Sequence, residues 1–179
     1  MQITMQEFAE RFGPSIEAQA WAEENCVSMR EVWDKARPDW LVWLATREGV
    51  LTDRDLRLFG CWAVRQIWHL VSDPRSRAAV EVSERYAMGE ATIQDLQTAR
   101  MAAGAAWEAA GAGAAVAAAE AGASGAAWMA AAAAAAAAAW AAWDAGMAAW
   151  DAARKSAWEV QATYLRGLDN PFERDEKER

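Results

Sequence analysis

The apolar positions of this chain recur at helical spacing between frequent stop signals, and β-branched residues nowhere alternate with polar ones for more than a few positions. Thr4 with Glu7 and Ser28 with Glu31 fit the capping box, in which a hydroxyl and a carboxylate three residues apart satisfy free backbone N–H groups. Gly13-Pro14 stops the first helix, Ser15 starts a second through Trp21 towards Asn25, and a third runs from about Met29 to Ala36. Pro38 suits the first turn of a fourth helix carrying Trp40, Leu41, Trp43 and Leu44, with Gly49 as its left-handed close. Thr52 with Asp55 opens a longer helix to about Val71, with Leu56, Phe59, Ala63, Ile67 and Leu70 on its apolar face.

Asp73-Pro74 then pairs a capping acid with a first-turn proline for a helix to Met88, closed by Gly89. Thr92 with Asp95 begins the next helix, which enters an alanine tract with its break near Gly122–Ser124. The last helix is expected from Gly125 to about Arg166. Its large residues Met129, Trp140, Trp143, Met147, Trp150, Trp158 and Leu165 fall on one stripe, and Arg154 falls inside that stripe. Asp151 stands three residues before Arg154, within pairing distance along a helix.

Composition sharpens this picture. Residues 101–160 hold 34 alanines and six tryptophans, so the tract is helical by propensity while the indoles supply the buried area that alanine lacks. The expected fold is all-α: a single-domain multi-helix bundle over residues 1–167, with shorter capped helices to 90 and two long Ala/Trp-rich helices from 91. A charged tail follows over 168–179, mostly frayed, with Pro171-Phe172 able to dock. The uncharged stretch Ala121–Trp143 is long enough to span a bilayer, but it has no Leu, Ile, Val or Phe and reads as a buried helix of a soluble protein. With no secretory pattern at Met1, the expected location is the bacterial cytosol.

Charge narrows the function. The net charge is −8, which argues against direct nucleic-acid binding and for a basic partner. Glu7, Glu10, Glu17, Glu23, Glu24, Glu31, Asp34 and Asp39 form an acidic set in the first helices, among Trp21, Trp33, Trp40 and Trp43, which serve equally as core or as interface anchors. Glu17, Glu23, Glu24, Glu31, Asp34 and Asp39 are the candidate protein-binding residues. An alternative centre is Arg154 with Trp150 and Trp158, which could enclose an anionic nucleotide-like molecule. The local reading of Arg154 is a structural pair with Asp151.

Other chemistry is sparse. Cys26 and Cys61 lack partners at metal-ligand spacing and read as buried thiols. The single histidine, His69, shows no activated nucleophile beside it in sequence, and Asp53 with Asp55 reads as helix capping rather than cation chelation. No metal, cofactor or catalytic site is expected.

Three segments carry a family resemblance. Asp39-Trp40-Leu41-Val42-Trp43-Leu44, Cys61-Trp62-Ala63-Val64-Arg65 and Asp73-Pro74-Arg75-Ser76-Arg77-Ala78-Ala79-Val80-Glu81 are followed by Gly89-Glu90-Ala91-Thr92 leading to Leu96, Ala99 and the alanine tract. Over roughly residues 35–165 this pattern resembles the alanine-rich immunity proteins of bacteria and phages. The resemblance implies a helical, non-enzymatic protein that binds and neutralises another protein, such as a basic nucleic-acid-acting toxin or a host defence complex of the CRISPR effector kind. Self-association through the alanine-rich helices is a further alternative.

Overall fold

In the structure, a computed structural model, residues 2–110, 133–134, 136–137 and 147–173 are described, the side chains of 106–110 and 147–150 excepted. Every regular element among them is helical, as the capping signals require. Helix α1 (Met5–Phe12) has both halves of its capping box: the Thr4 hydroxyl accepts from the Glu7 N–H, and the Glu7 carboxylate accepts from the Thr4 N–H. Gly13, at φ 59°, ends it in the left-handed region that a side chain would strain. Ser15 then caps α2 (Ile16–Asn25), and Ser28 caps α3 (Met29–Lys35). The second capping box is offset: Glu31 accepts from the N–H of Val27, one residue before the Ser28 cap.

Helix α4 (Pro38–Ala45) closes earlier than expected. The Thr46 hydroxyl donates to the carbonyls of Val42 and Trp43, and Gly49, at φ 80°, belongs to the turn that follows. Helix α5 (Asp53–Gln66) also stops short of the expected Val71, and Trp68–Leu70 forms a 3₁₀ turn. The Arg77 guanidinium holds the end of this turn, donating to the carbonyl of Val71, which caps it, at 2.6 Å and to that of Trp68 at 3.5 Å. Asp73 caps α6 (Pro74–Ala87), Gly89 turns the chain, and the Thr92–Asp95 pair opens α7 (Ile93–Ala110). The last described helix, α8, is Met147–Arg166; its expected beginning near Gly125 lies outside the described residues.

Packing follows the apolar faces. Helix α6 packs against both α5 and α7, while α8 packs on α4 and α5. Trp33, Leu41, Val42, Phe59, Val64 and Leu165 are all fully buried at the centre, and Ala134 and Ala137 belong to the same core. Closing this core is the dominant stabilising term, because each large side chain removed from water contributes about 1.5–3 kcal/mol. On α8, Leu165 is buried and Trp158 packs at the core's edge, as the stripe predicted. Met129, Trp140 and Trp143 lie outside the described residues, as do the side chains of Met147 and Trp150.

The chain beyond α8 is docked as far as Glu173. Asn170 is buried, and its amide donates to the Asp34 carboxylate at 3.1 Å and to the Arg30 carbonyl at 3.3 Å. Phe172 meets Trp33 edge-on at 6.3 Å, and Arg30 pairs with Glu173 at 2.7 Å. The sequence allowed Pro171-Phe172 to dock; for residues 168–173 the expectation of fraying is corrected, because Asn170 supplies polar anchors that a count of tail charges does not reveal, while 174–179 lie outside the described residues. No helix among the described residues is long and apolar enough to cross a membrane.

Candidate functional site

The six carboxylates singled out in the sequence divide by what holds them. Arg37, preceding α4, donates to Glu17 at 3.1 Å and to Asp39 at 2.8 and 2.9 Å. Lys35 pairs with Glu31 at 2.7 Å; its hydrogen bond, followed by that of the Val27 N–H, pulls the Glu31 carboxyl below its ordinary pKa. Asp34 accepts from Asn170. Three of the six are therefore matched by bases of the same segment, and a fourth anchors the C-terminal segment. Glu23 and Glu24 stay exposed on α2, and among the described residues no arginine or lysine is bonded to Glu23, which accepts from the Gln19 amide.

Glu23 borders a pocket of about 670 Å³ formed by α1 to α4. Phe8, Met29, Val32, Trp40 and Trp43 make its apolar lining, with Trp21 of α2 as a wall. Trp21 and Trp40 lie 5.6 Å apart between ring centroids, and Phe8 meets Trp43 edge-on at 6.2 Å. These contacts fix the indoles at the pocket while leaving it unfilled.

Two Gln–Glu pairs line the same pocket. On α1 the Gln6 amide donates to Glu10 at 3.0 Å, and on α2 the Gln19 amide donates to Glu23 at 2.9 Å. Each pair is four residues apart, one turn of helix. A neutral amide limits the rotamers of a carboxylate without cancelling its charge, so the arrangement suits an apolar group carrying a cation nearby. Glu10 stood in the acidic set but not among the sequence's binding candidates. The Gln-x-x-x-Glu spacing on both helices was its visible signal; that both pairs border one pocket depends on how the helices pack.

The alternative centre is placed differently. Arg154 is half-exposed and pairs with Asp151 at 3.4 Å, matching the structural reading of that residue. Whether it lies inside the expected stripe falls outside the described residues, because the side chains of Trp140, Trp143, Met147 and Trp150 do. Trp158 is half-buried, and the side chain of Trp150 lies outside the described residues. Neither Arg154 nor Trp158 lines the α1–α4 pocket, nor a second hollow of about 500 Å³ around Trp62, Tyr164 and Leu168. Among the described residues the cation that enters the interior is Arg57, which shares its face of α5 with the buried Cys61 and Val64 and lies 5.0 Å from the Tyr86 ring centroid. Burial lowers its pKa.

Remaining candidates take structural places. His69 is exposed on the 3₁₀ turn, and Asp55 completes a cap with Thr52. Cys26 and Cys61 are buried thiols outside any disulfide, and burial pushes Cys61 up to about 12. Among the described residues no three His, Cys, Asp or Glu side chains gather as a metal site. No family model, curated protein or solved structure matches the chain.

Proposed function

We propose that this chain is a non-enzymatic inhibitor of the immunity-protein type, which binds a basic protein surface through its first two helices. The observation that carries the reading is the separation of charges: Lys35 and Arg37 occupy Glu17, Glu31 and Asp39, whereas the glutamine-held Glu10 and Glu23 border an open apolar pocket. Arg11 and Glu48 lie 3.9 Å apart. A carboxylate-rimmed pocket attracts a basic partner at long range and offers it apolar burial on contact. The resemblance to alanine-rich immunity proteins supports the same class, with a nucleic-acid-acting toxin or a defence effector such as a CRISPR complex as the target.

Binding an anionic nucleotide is less well supported, because Arg154 pairs with Asp151 and the α1–α4 pocket carries acidic side chains. Tagged wild-type protein, the Glu10→Lys/Glu23→Lys/Glu24→Lys variant and Arg154→Ala are to be compared for capture from native-host lysate at low and moderate salt. The expected result is a basic protein retained by wild type and Arg154→Ala but lost by the charge-reversed variant and as salt rises. A nucleotide that co-purifies and disappears in Arg154→Ala would replace this reading.

A further inference from the structure

We infer that the α1–α4 pocket seats an apolar anchor side chain from a basic amphipathic helix of the partner, with the partner's lysines or arginines meeting Glu10 and Glu23. This rests on the basic-partner reading and names what is recognised. Volume and lining come first. About 670 Å³ bounded by Phe8, Trp40, Trp43 and Met29 falls within the size range of ligand-binding clefts and has room for a large anchor side chain together with its neighbours. An aromatic or leucine anchor entering it removes the pocket's apolar lining from water, which is how a few interface residues come to dominate binding energy.

Charge complementarity decides the occupant. Gln6–Glu10 and Gln19–Glu23 repeat one device on the two helices that flank the pocket, and in both the donor is neutral. An acidic anchor segment would place like charges beside two held carboxylates. A purely apolar one would leave them uncompensated at a newly dry edge, a costly arrangement. A helix with a basic residue one turn from its anchor satisfies both requirements, because positions i and i+4 lie on the same face. Held acceptors also reduce the ordering cost of binding.

The wall contributed by α2 permits entry. None of its residues is fully buried; Trp21 and Ala22 pack at the core's edge, and the helix is tied down by Arg37–Glu17 and by the Lys35 ammonium on the Asn25 carbonyl. Its place against the pocket therefore rests on few contacts, so a modest adjustment admits an anchor without opening the central core.

The test uses the full-length chain and a fluorescein-labelled amphipathic Leu/Lys peptide with one central Phe, read by anisotropy. Control peptides replace the Phe with Ala or every Lys with Glu. Ala18→Phe, which narrows the pocket, and Glu10→Gln/Glu23→Gln, which keeps side-chain shape while removing charge, are the protein variants, each checked for folding by circular dichroism. Loss of the Phe and Ala18→Phe are each expected to weaken binding by about tenfold or more. The double Gln variant is expected to weaken it several-fold and flatten its salt dependence.

Peptide binding that depends on the two glutamates but ignores Phe removal and Ala18→Phe would overturn the anchor while leaving the basic-partner reading in place. Equal binding of the Lys and Glu peptides would overturn the charge requirement and that reading together. Tetraphenylphosphonium binding with both dependences, in the absence of peptide binding, would assign the pocket to a small organic cation and overturn the proposal.

Discussion

The Arg37 guanidinium carbon lies 4.0 Å from the centroid of the Trp40 ring, and the same guanidinium reaches Glu17 on α2. One side chain thus ties a pocket wall to a pocket lining residue. The partners are substantially exposed, with Arg37 at 49% and Glu17 at 70%, so the ionic part is screened and weak. Arg37→Ala is expected to cost about 1 kcal/mol or less in global stability, mainly through the lost stacking. Its larger effect is local: amide exchange in α2 should accelerate while α5 and α6 stay protected. Uniform acceleration through all helices would contradict this role.

A stronger clamp joins α5 to α6. Arg65 donates to the two carboxylate oxygens of Glu84 at 2.9 and 2.6 Å, lies 4.1 Å from the Trp68 ring centroid, and is largely shielded, with side-chain exposures of 34% and 25%. Fork-on-carboxylate geometry is the stronger form of charged hydrogen bond. Glu84→Gln is expected to destabilise by about 1.5–3 kcal/mol in urea unfolding, more than Arg37→Ala. A double-mutant cycle with Arg65→Met should return clear coupling. Coupling near zero would place the pair with ordinary surface bridges.

The thiol of Cys61 predicts alkaline behaviour. Burial among apolar side chains raises it to about 12 from an ordinary value of 9.0, and its sulfur lies 3.8 Å from the Val80 carbonyl oxygen. The unfolded chain therefore loses this proton at a pH where the folded chain keeps it, so stability is unaffected below about pH 9 and falls as pH rises from there towards 12. Burial also raises Tyr164, which adds to the same fall above its own ordinary value of 10.0. Cys61→Ala is expected to flatten the alkaline limb of an unfolding-midpoint profile while lowering stability at neutral pH through the lost packing. In the folded protein Cys61 should resist alkylation at pH values where the denatured chain reacts. Prompt native labelling of Cys61 would refute this placement.

The start signals of the helices were legible because each is written within a few residues. Thr4–Glu7, Ser15, Thr52–Asp55, Asp73–Pro74 and Thr92–Asp95 sit at the helix starts, with Gly13 and Gly89 at left-handed turns. What escaped reading depends on distance along the chain. Arg37 meets Glu17 twenty residues away, Asn170 reaches Asp34 across 136, and Arg77 holds the end of the preceding 3₁₀ turn. Counting acids identified an acidic half, whereas only packing determines which acids face a base and which face a pocket. Arg57 carried a readable clue in its spacing to Cys61 and Val64, but helix periodicity ranks a charged residue as exposed unless its neighbours are weighed.

A photo-crosslinking amino acid placed in turn at Gln19, at the pocket, and at Val160, on the exposed surface of α8, gives the most direct measurement of where this protein works. The two proteins are to be expressed in the native host, irradiated, and their crosslinked partners identified by mass spectrometry. A basic protein joined at Gln19 through a lysine- or arginine-flanked apolar residue, and absent from the Val160 sample, is the predicted result. The same partner crosslinked at Val160 and never at Gln19 would contradict the proposed site.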